Sequence, residues 1–185
     1  MIYLIGDTHF YHKNIIRFCD RPYLNLTEMH RALIDNWNSV VGHEDTVYHL
    51  GDFGFKGSTG RVKGIMSALN GTKILIRGNH DKSPETMLSV GFAAVFEQAV
   101  VRIFDTQYLL QHYKMRPEDK LVELLKAVNC DGTIHGHVHN NEGDNIFDGF
   151  SANVSVEVIN YTPIELEALH KAFTKHRIEN GLFIQ

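Results

Sequence analysis

Apolar residues in this chain come in short runs. Ile2–Ile5 is continuously apolar, as expected of a strand buried on both faces. Thr46–Leu50 and Lys73–Arg77 predict two further strands, leading into Gly51-Asp52 and Gly78-Asn79. Between these runs the pattern changes to a helical period. Leu26, Met29, Leu33, Trp37 and Val40 fall near one face of a helix predicted over Thr27–Val41, with Thr27 as its N-cap. Arg61–Leu69 predicts another helix, closed by Asn70-Gly71 and preceded by a loop carrying Gly54, Gly57 and Gly60. Asn14–Phe18 has room for one helical turn.

The second half is more varied. Pro84–Val90 reads as a short helix, and Ala94–Phe104 with Tyr108–His112 as two strands of a hairpin. Pro117–Val128 predicts a helix with proline at its start. Gly132–His135 leads into Gly136-His137-Val138-His139, Val154–Tyr161 alternates like a strand with one exposed face, and Pro163–His176 predicts a C-terminal helix. The early strand–helix–strand order implies parallel pairing, and the later hairpin an antiparallel sheet. No repeat or linker breaks the chain, so one α/β domain is expected over residues 1–185.

Five blocks of metal-type ligands stand at the ends of the apolar runs: Asp7-Thr8-His9, Gly51-Asp52, Gly78-Asn79-His80-Asp81, His112 and Gly136-His137-Val138-His139. In an open α/β sheet, loops after strands collect at one edge, so the blocks are expected to converge. Carboxylates, an amide oxygen and imidazoles in one place suit divalent cations, and a pair of cations is a known device for attack on phosphorus. Singly the blocks say little. Asp7 alone would more readily cap a helix, Gly51-Asp52 and Asn79 alone are turn residues, and His112 alone would be a half-buried packing residue.

Taken in this order, the blocks resemble those of the calcineurin-like metallophosphoesterases over Ile2 to about Ile164. The opening Gly6-Asp7-Thr8-His9-Phe10-Tyr11-His12-Lys13-Asn14-Ile15-Ile16 is most similar to the small bacterial and phage members. The resemblance implies a four-layer α/β/β/α sandwich with mixed sheets. It implies that Asp7, His9 and His139 hold one metal, that Asn79, His112 and His137 hold another, and that Asp52 bridges them. It also makes His80 the group that contacts the phosphate and helps the leaving oxygen depart, with Asp81 either orienting His80 or capping the helix at Pro84. His137 and His139, two apart, would point the same way on an extended strand, so they serve neighbouring metals only if the backbone turns there. Mn²⁺ is the first choice of metal, with Fe²⁺, Zn²⁺ or Ni²⁺ as alternatives.

Composition adjusts this picture. A formal net charge of -4 argues against non-specific nucleic-acid binding. No apolar stretch is long enough to span a bilayer, and the first strand lacks the marks of a signal peptide. Cys19 and Cys130 are the only cysteines, which suggests free thiols in a cytoplasmic protein. His12 is a candidate wall of the substrate pocket, and Lys13, Asn14, Arg17 and Arg21 are candidates for a phosphate-binding rim or a solvated helix face. His30, His43, His49, His135, His170 and His176 read as surface or packing residues. The second block lacks the Gly-Asp-x-x-Asp-Arg-Gly run of protein Ser/Thr phosphatases, which points away from phosphoproteins. Lys114 or Arg116, after His112, could contact substrate. The expected function is a two-metal phosphoesterase, a diesterase before a monoesterase, in which a metal-bridging hydroxide attacks a small phosphate ester or nucleotide in line. A nucleotide pyrophosphohydrolase and a non-catalytic binding module stay open as alternatives.

Overall fold

In a computed structural model, which describes residues 1–54, 59–115, 118–141, 143 and 145–183, the strands in chain order are β1 (Ile2–Ile5), β2 (Thr46–His49), β3 (Thr72–Ile76), β4 (Ala94–Phe96), β5 (Gln98–Ile103), β6 (Thr106–Gln111), β7 (Gly132–His135), β8 (Phe147–Asp148), β9 (Ser151–Asn153) and β10 (Ile164–Glu165). The helices are α1 (Ile15–Phe18), α2 (Leu26–Val40), α3 (Thr59–Ala68), α4 (Pro84–Val90), α5 (Glu118–Ala127) and α6 (Leu166–Glu179). Gly57 of the expected glycine loop, Arg116, and the expected helix start at Pro117 lie outside the described residues.

The strands form two mixed sheets. The first has the order β10-β1-β2-β3-β4, parallel except for β10 on β1. The second has the order β5-β6-β7-β9-β8, with β5–β6 and β8–β9 antiparallel and the middle pairs parallel. One apolar core contains residues of both sheets, among them Leu4, Ile5 and Leu75 with Leu110, Ile134 and Ala152. Met29, Leu33 and Trp37 of α2 close it on one side, and Trp37 donates its Nε1–H to Asn70 O at 3.0 Å. Burying a side chain of this class contributes about 1.5–3 kcal/mol. Leu121 and Leu125 of α5 pack with Leu109 and Phe150 in a second cluster. The architecture is the four-layer α/β/β/α sandwich.

Three expectations are corrected. The run Ala94–Phe104 is two strands rather than one. β4 pairs with β3 in the first sheet, and after Glu97 the chain enters the second sheet as β5, opposite β6. Both pieces are apolar, so the crossing leaves little trace in the hydrophobic pattern. Val154–Tyr161 is not an exposed-face strand. Val154, Ser155 and Val156 are all fully buried, Ser155 forms only an isolated bridge with Gly6, and Asn160 and Tyr161 turn the chain with φ of 53° and 56°. The alternation there separates two buried environments, apolar core and polar site, rather than core and solvent. The cap of α2 is Asn25, whose side chain accepts from Glu28 N–H at 3.0 Å, so Thr27 lies inside the helix. Val40 is exposed, and buried Val41 takes its expected place.

Candidate metal centre

Each ligand block follows a strand. Asp7-Thr8-His9 follows β1, Gly51-Asp52 follows β2, Gly78-Asn79-His80-Asp81 follows β3, His112 follows β6, and Gly136-His137-Val138-His139 follows β7. The loops lock together: Asp7 N–H donates to Gly51 O at 2.9 Å, and Gly136 N–H to His112 O at 3.1 Å. Asp7, His9, Asp52, His137 and His139 have φ of 57°, 50°, 56°, 70° and 51°, the left-handed region that side chains other than glycine rarely adopt. Such residues cost about 1–3 kcal/mol each and cluster at functional sites. His137 and His139 therefore do not lie on an extended strand, and the left-handed turns send them to different partners. Two glycines are required by close approach. A Cβ on Gly78 would stand 2.3 Å from Asp52 Oδ1, and one on Gly136 would stand 2.3 Å from Asp7 Oδ2.

The first ligand group is Asp7, His9 and His139, whose ligand atoms lie within 4.8 Å of one another. Asp7 Oδ2 accepts from His137 N–H at 2.9 Å and from Ser155 Oγ–H at 2.8 Å, which leaves Oδ1 to face the group. His9 Nδ1 lies 3.2 Å from His12 Nδ1, and His9 Nε2 points inward. Asp7 Oδ1 and His9 Nε2 are buried with no hydrogen-bond partner. Burial pushes the Asp7 carboxyl up to about 6, and burial, then the neighbouring His139 and Arg21, push His9 down. Burial opposes a charge on His139 too. Its contacts with Cys19 and Glu157, and the Asp7 carboxylate, outweigh that and push it up to about 10.

The second group is Asp52, His112 and His137, again within 4.8 Å. His112 faces Leu50 O through Nδ1 at 2.8 Å, so its Nε2 faces Asn79 Oδ1 at 3.0 Å and His137 Nδ1 at 3.2 Å. Asp52 Oδ1 accepts from His80 N–H at 2.9 Å. Its Oδ2 lies between the groups, 3.5 Å from His9 Nε2 and 3.6 Å from His112 Nε2. The structure thus brings all seven expected ligands, Asp7, His9, Asp52, Asn79, His112, His137 and His139, to one place. Both groups draw on both sheets.

His80 stands over this cluster, with Nε2 4.0 Å from Asp52 Oδ2 and a side chain 38% exposed. The N-cap position of α4 is Ser83, and Asp81 has a different task. It accepts from the N–H groups of Asp52, Phe53 and Gly78 at 2.8, 2.9 and 2.8 Å, and so pins the Asp52 loop. The cleft in front has a volume of about 550 Å³ and is walled by His9, His12, Phe18, Asp52, His80 and His137, among others. His12 is therefore at the pocket. Lys13, Asn14 and Arg17 are exposed, and Arg17 lies over the Phe18 ring at 5.4 Å. Lys114 pairs with Asp148. His49 is a packing residue, buried against Thr8.

Arg21 is no rim residue. It is 4% exposed, and its guanidinium donates to Asp7 O at 2.7 Å, Thr8 O at 2.9 Å and Glu157 Oε1 at 2.7 and 2.9 Å. The same Glu157 oxygen lies 3.0 Å from His139 Nδ1. Hydrogen bonds from His139 and the charge of Arg21 outweigh burial and hold Glu157 below the usual carboxylate range. Asn153 donates from Nδ2 to His139 O at 2.7 Å and accepts from Ser155. Glu157, Ser155 and Asn153 are the residues that sequence reasoning missed. The one available signal was polar residues inside an apolar run, Asn153-Val154-Ser155-Val156-Glu157. Cys19, His139 and Glu157 also form a compact trio. There the Arg21 guanidinium already neutralises Glu157, so the trio reads as support for His139.

The donors fit divalent cations. Two inward-facing atoms of the first group are buried without a partner, and a cation there would offset the burial that raises Asp7. Carboxylate, amide oxygen and imidazole together suit a first-row transition ion.

A family model described as the calcineurin-like phosphoesterase superfamily domain matches residues 1–159. An uncharacterized protein of Methanocaldococcus jannaschii is 39% identical over 185 residues, covering 96% of this chain and 93% of that protein. The Gene 66 protein of Mycobacterium phage L5 is 33% identical over 162 residues, covering 72% of this chain and 75% of its own. A crystal structure of a protein of unknown function from Aquifex aeolicus superposes with a TM-score of 0.76 at 34% identity, over 94% of this chain and 99% of that one. An archaeal phosphodiesterase shares the fold at a TM-score of 0.50 and 22% identity, over 83% of this chain and 81% of its own.

Proposed function

This chain belongs to the calcineurin-like phosphoesterase superfamily, a metal-dependent group, and from that premise we propose that it is a two-metal phosphodiesterase acting on a small phosphate ester. The observation that carries the proposal is the placement of Asp52 Oδ2 between two histidine-rich groups, one of them with unpartnered buried donor atoms. Asp7, His9 and His139 would hold one cation, Asn79, His112 and His137 the other, and Asp52 would bind both. When bound, such a pair supplies charge for the phosphoryl oxygens and lowers the pKa of water.

The remaining work belongs to the chain. Water replaces the alcohol on phosphorus: the P–O bond to water forms, the P–O bond to the leaving group breaks, and one proton goes to the departing oxygen. His80 stands at the open face of the cluster, where its ring can meet that oxygen and supply the proton. His12 lies beside it on the cleft wall, with ring centroids 6.3 Å apart, and narrows the approach. Mn²⁺ is the proposed metal because imidazole-rich mixed sites favour transition ions over Mg²⁺. The fold has helices and closed loops but, among the described residues, no helix long and apolar enough to cross a membrane. The two free thiols, both buried, support a cytoplasmic setting.

The test is a panel of Mn²⁺, Fe²⁺, Zn²⁺, Ni²⁺ and Mg²⁺ against an aryl diester, an aryl monoester, cyclic nucleotides and nucleotide polyphosphates. The expected result is diester turnover that requires a divalent ion and is highest with Mn²⁺. Full turnover after exhaustive chelation would refute the metal-dependent reading. A preference for nucleotide polyphosphates would make the protein a pyrophosphohydrolase instead.

A further inference from the structure

Beside the metal cleft lies a second recess of about 420 Å³, walled by Arg77, Gln98, Gln111, His112, Tyr113 and Met115, among others. Its volume is in the range of small-ligand sites. It shares a wall with the centre, because His112 belongs to both. Tyr113 stands at the boundary. Its ring centroid lies 4.9 Å from that of His112 and 4.7 Å from that of His137, and both contacts are edge-type. A large ring braced by two proposed metal ligands is nonetheless 52% exposed.

Gln111 gives the recess a polar address. The residue is only 5% exposed. Its Oε1 accepts from Gln98 Nε2 at 3.0 Å, while its own Nε2 is buried with no partner. A buried amide donor without an acceptor is costly, and native structures rarely keep one without a reason. Arg77 is engaged by Glu97 at 2.7 Å, and Lys114, the other cation on this wall, is paired with Asp148, so the charge here is balanced within the protein. The recess therefore presents a planar aromatic surface and has an unpartnered amide N–H buried in its wall, next to a phosphate-binding centre and without a surplus charge of its own. A second phosphate or a carboxylate would find no unbalanced cation there. A flat heteroaromatic ring with an acceptor on its edge would satisfy both features.

We infer that this recess holds the nucleobase of a nucleoside phosphoester whose phosphate lies in the metal cleft, with Tyr113 as the stacking surface and Gln111 Nε2 as the donor to the base edge. This rests on the phosphodiesterase reading and names its substrate class. Stacking of a base on an aromatic side chain is sequence-tolerant and worth about one order of magnitude or more in binding. Tyr113 and Gln111 act on recognition, so their effects fall on KM rather than kcat.

Two substrates with the same leaving group test it on the Mn²⁺-loaded protein: the p-nitrophenyl ester of a nucleoside 5′-monophosphate and the p-nitrophenyl ester of methyl phosphate. The nucleoside ester should be favoured in kcat/KM by roughly tenfold or more, through a lower KM. Tyr113→Ala should reduce that ratio by roughly tenfold, Tyr113→Phe should keep it, and Gln111→Leu should reduce it. A ratio near one in the wild type would overturn the proposal, as would a ratio unmoved by Tyr113→Ala and Gln111→Leu. Equilibrium dialysis of a nucleoside 5′-monophosphate provides a readout that needs no turnover. If neither ester is hydrolysed, the diesterase reading fails, and nucleotide binding that Tyr113→Ala weakens would still uphold the recess. No binding difference between the two proteins would overturn it. A short single-stranded oligonucleotide as a third substrate separates a nucleic-acid end from a free nucleotide as the source of the base.

Discussion

The two halves of the proposed metal centre are built to different standards of enclosure. Around Asp7, His9 and His139 the remaining polar atoms are taken up by the protein itself. Ser155 and His137 N–H hold Asp7, Glu157 holds His139, and Arg21 ties Glu157 to the backbone of Asp7 and Thr8. All three ligands are buried. Around Asp52, Asn79, His112 and His137 the support is thinner, and Asn79 and His137 are exposed. Partners beyond the ligands fix the orientation of imidazoles and raise their basicity. The difference teaches that the proposed pair of ion positions need not be symmetric. On the two-metal proposal, the braced half would keep its ion, and the open half would meet substrate and exchange its ion with solvent.

The strongest way to break this contrast is to remove what the halves share. Asp52→Asn takes away the carboxylate placed between them. It should lower metal content from two ions to one or none, and reduce turnover on the order of 10³-fold, since several kcal/mol of transition-state stabilisation rest on the pair. Elemental analysis beside kinetics checks this, and retention of two ions with near-normal turnover would refute the bridging role. His80→Ala should come next. It belongs to neither half, so both ions should stay while kcat falls by roughly 10²-fold, the low end for a proton donor because this side chain is partly exposed. The loss should shrink for nitrophenolate leaving groups, which need no proton. A loss independent of leaving-group pKa would assign His80 to phosphate binding.

Glu157→Gln sharpens the contrast from the braced side. It removes the carboxylate behind His139 and should weaken one ion by about 10–100-fold while leaving the other in place, as isothermal titration with Mn²⁺ would resolve. Equal weakening of both ions would show that the halves act as one unit. Ser155→Ala is the mildest test. Loss of its bond to Asp7 Oδ2 should cost about 1 kcal/mol, or roughly fivefold in the affinity of the same ion. No change in either titration step would mean that His137 N–H alone holds Asp7.

The same contrast explains what could be read from the chain. The ligand blocks were legible because each is local: a strand, a glycine and a ligand within a few residues. Gly78 and Gly136 mark the positions where a Cβ would collide with Asp52 and Asp7. Helix α2 was legible from its period, although its cap was displaced to Asn25. The bracing was illegible because its contacts are distant in the chain. Glu157 meets Arg21 across 136 positions, and Ser155 meets Asp7 across 148. In the sequence Arg21 suits a phosphate rim or a solvated helix face because it follows His12 closely, whereas the turn after α1 carries it beneath the site. The Ala94–Phe104 run hid its crossing because both sheets demand apolar strands, and the polar pair Glu97-Gln98 at the crossing, like Arg102 further on, reads as an exposed strand position.

Both proposed ion positions would draw ligands from the ends of strands in both sheets, β1, β2 and β3 on one side and β6 and β7 on the other. Bound ions would therefore act as rivets through the seam between the sheets. Their removal should be felt as mechanical looseness along that edge, well beyond the site. Backbone amides that stitch the seam, such as Gly6 N–H to Val154 O and Val156 N–H to Gly6 O, should exchange hydrogen faster in the chelated protein, while amides deep in α2 keep their protection. On this view the ions also set how firmly one half of the sandwich is held against the other, and the resting stiffness of the molecule becomes a function of metal supply.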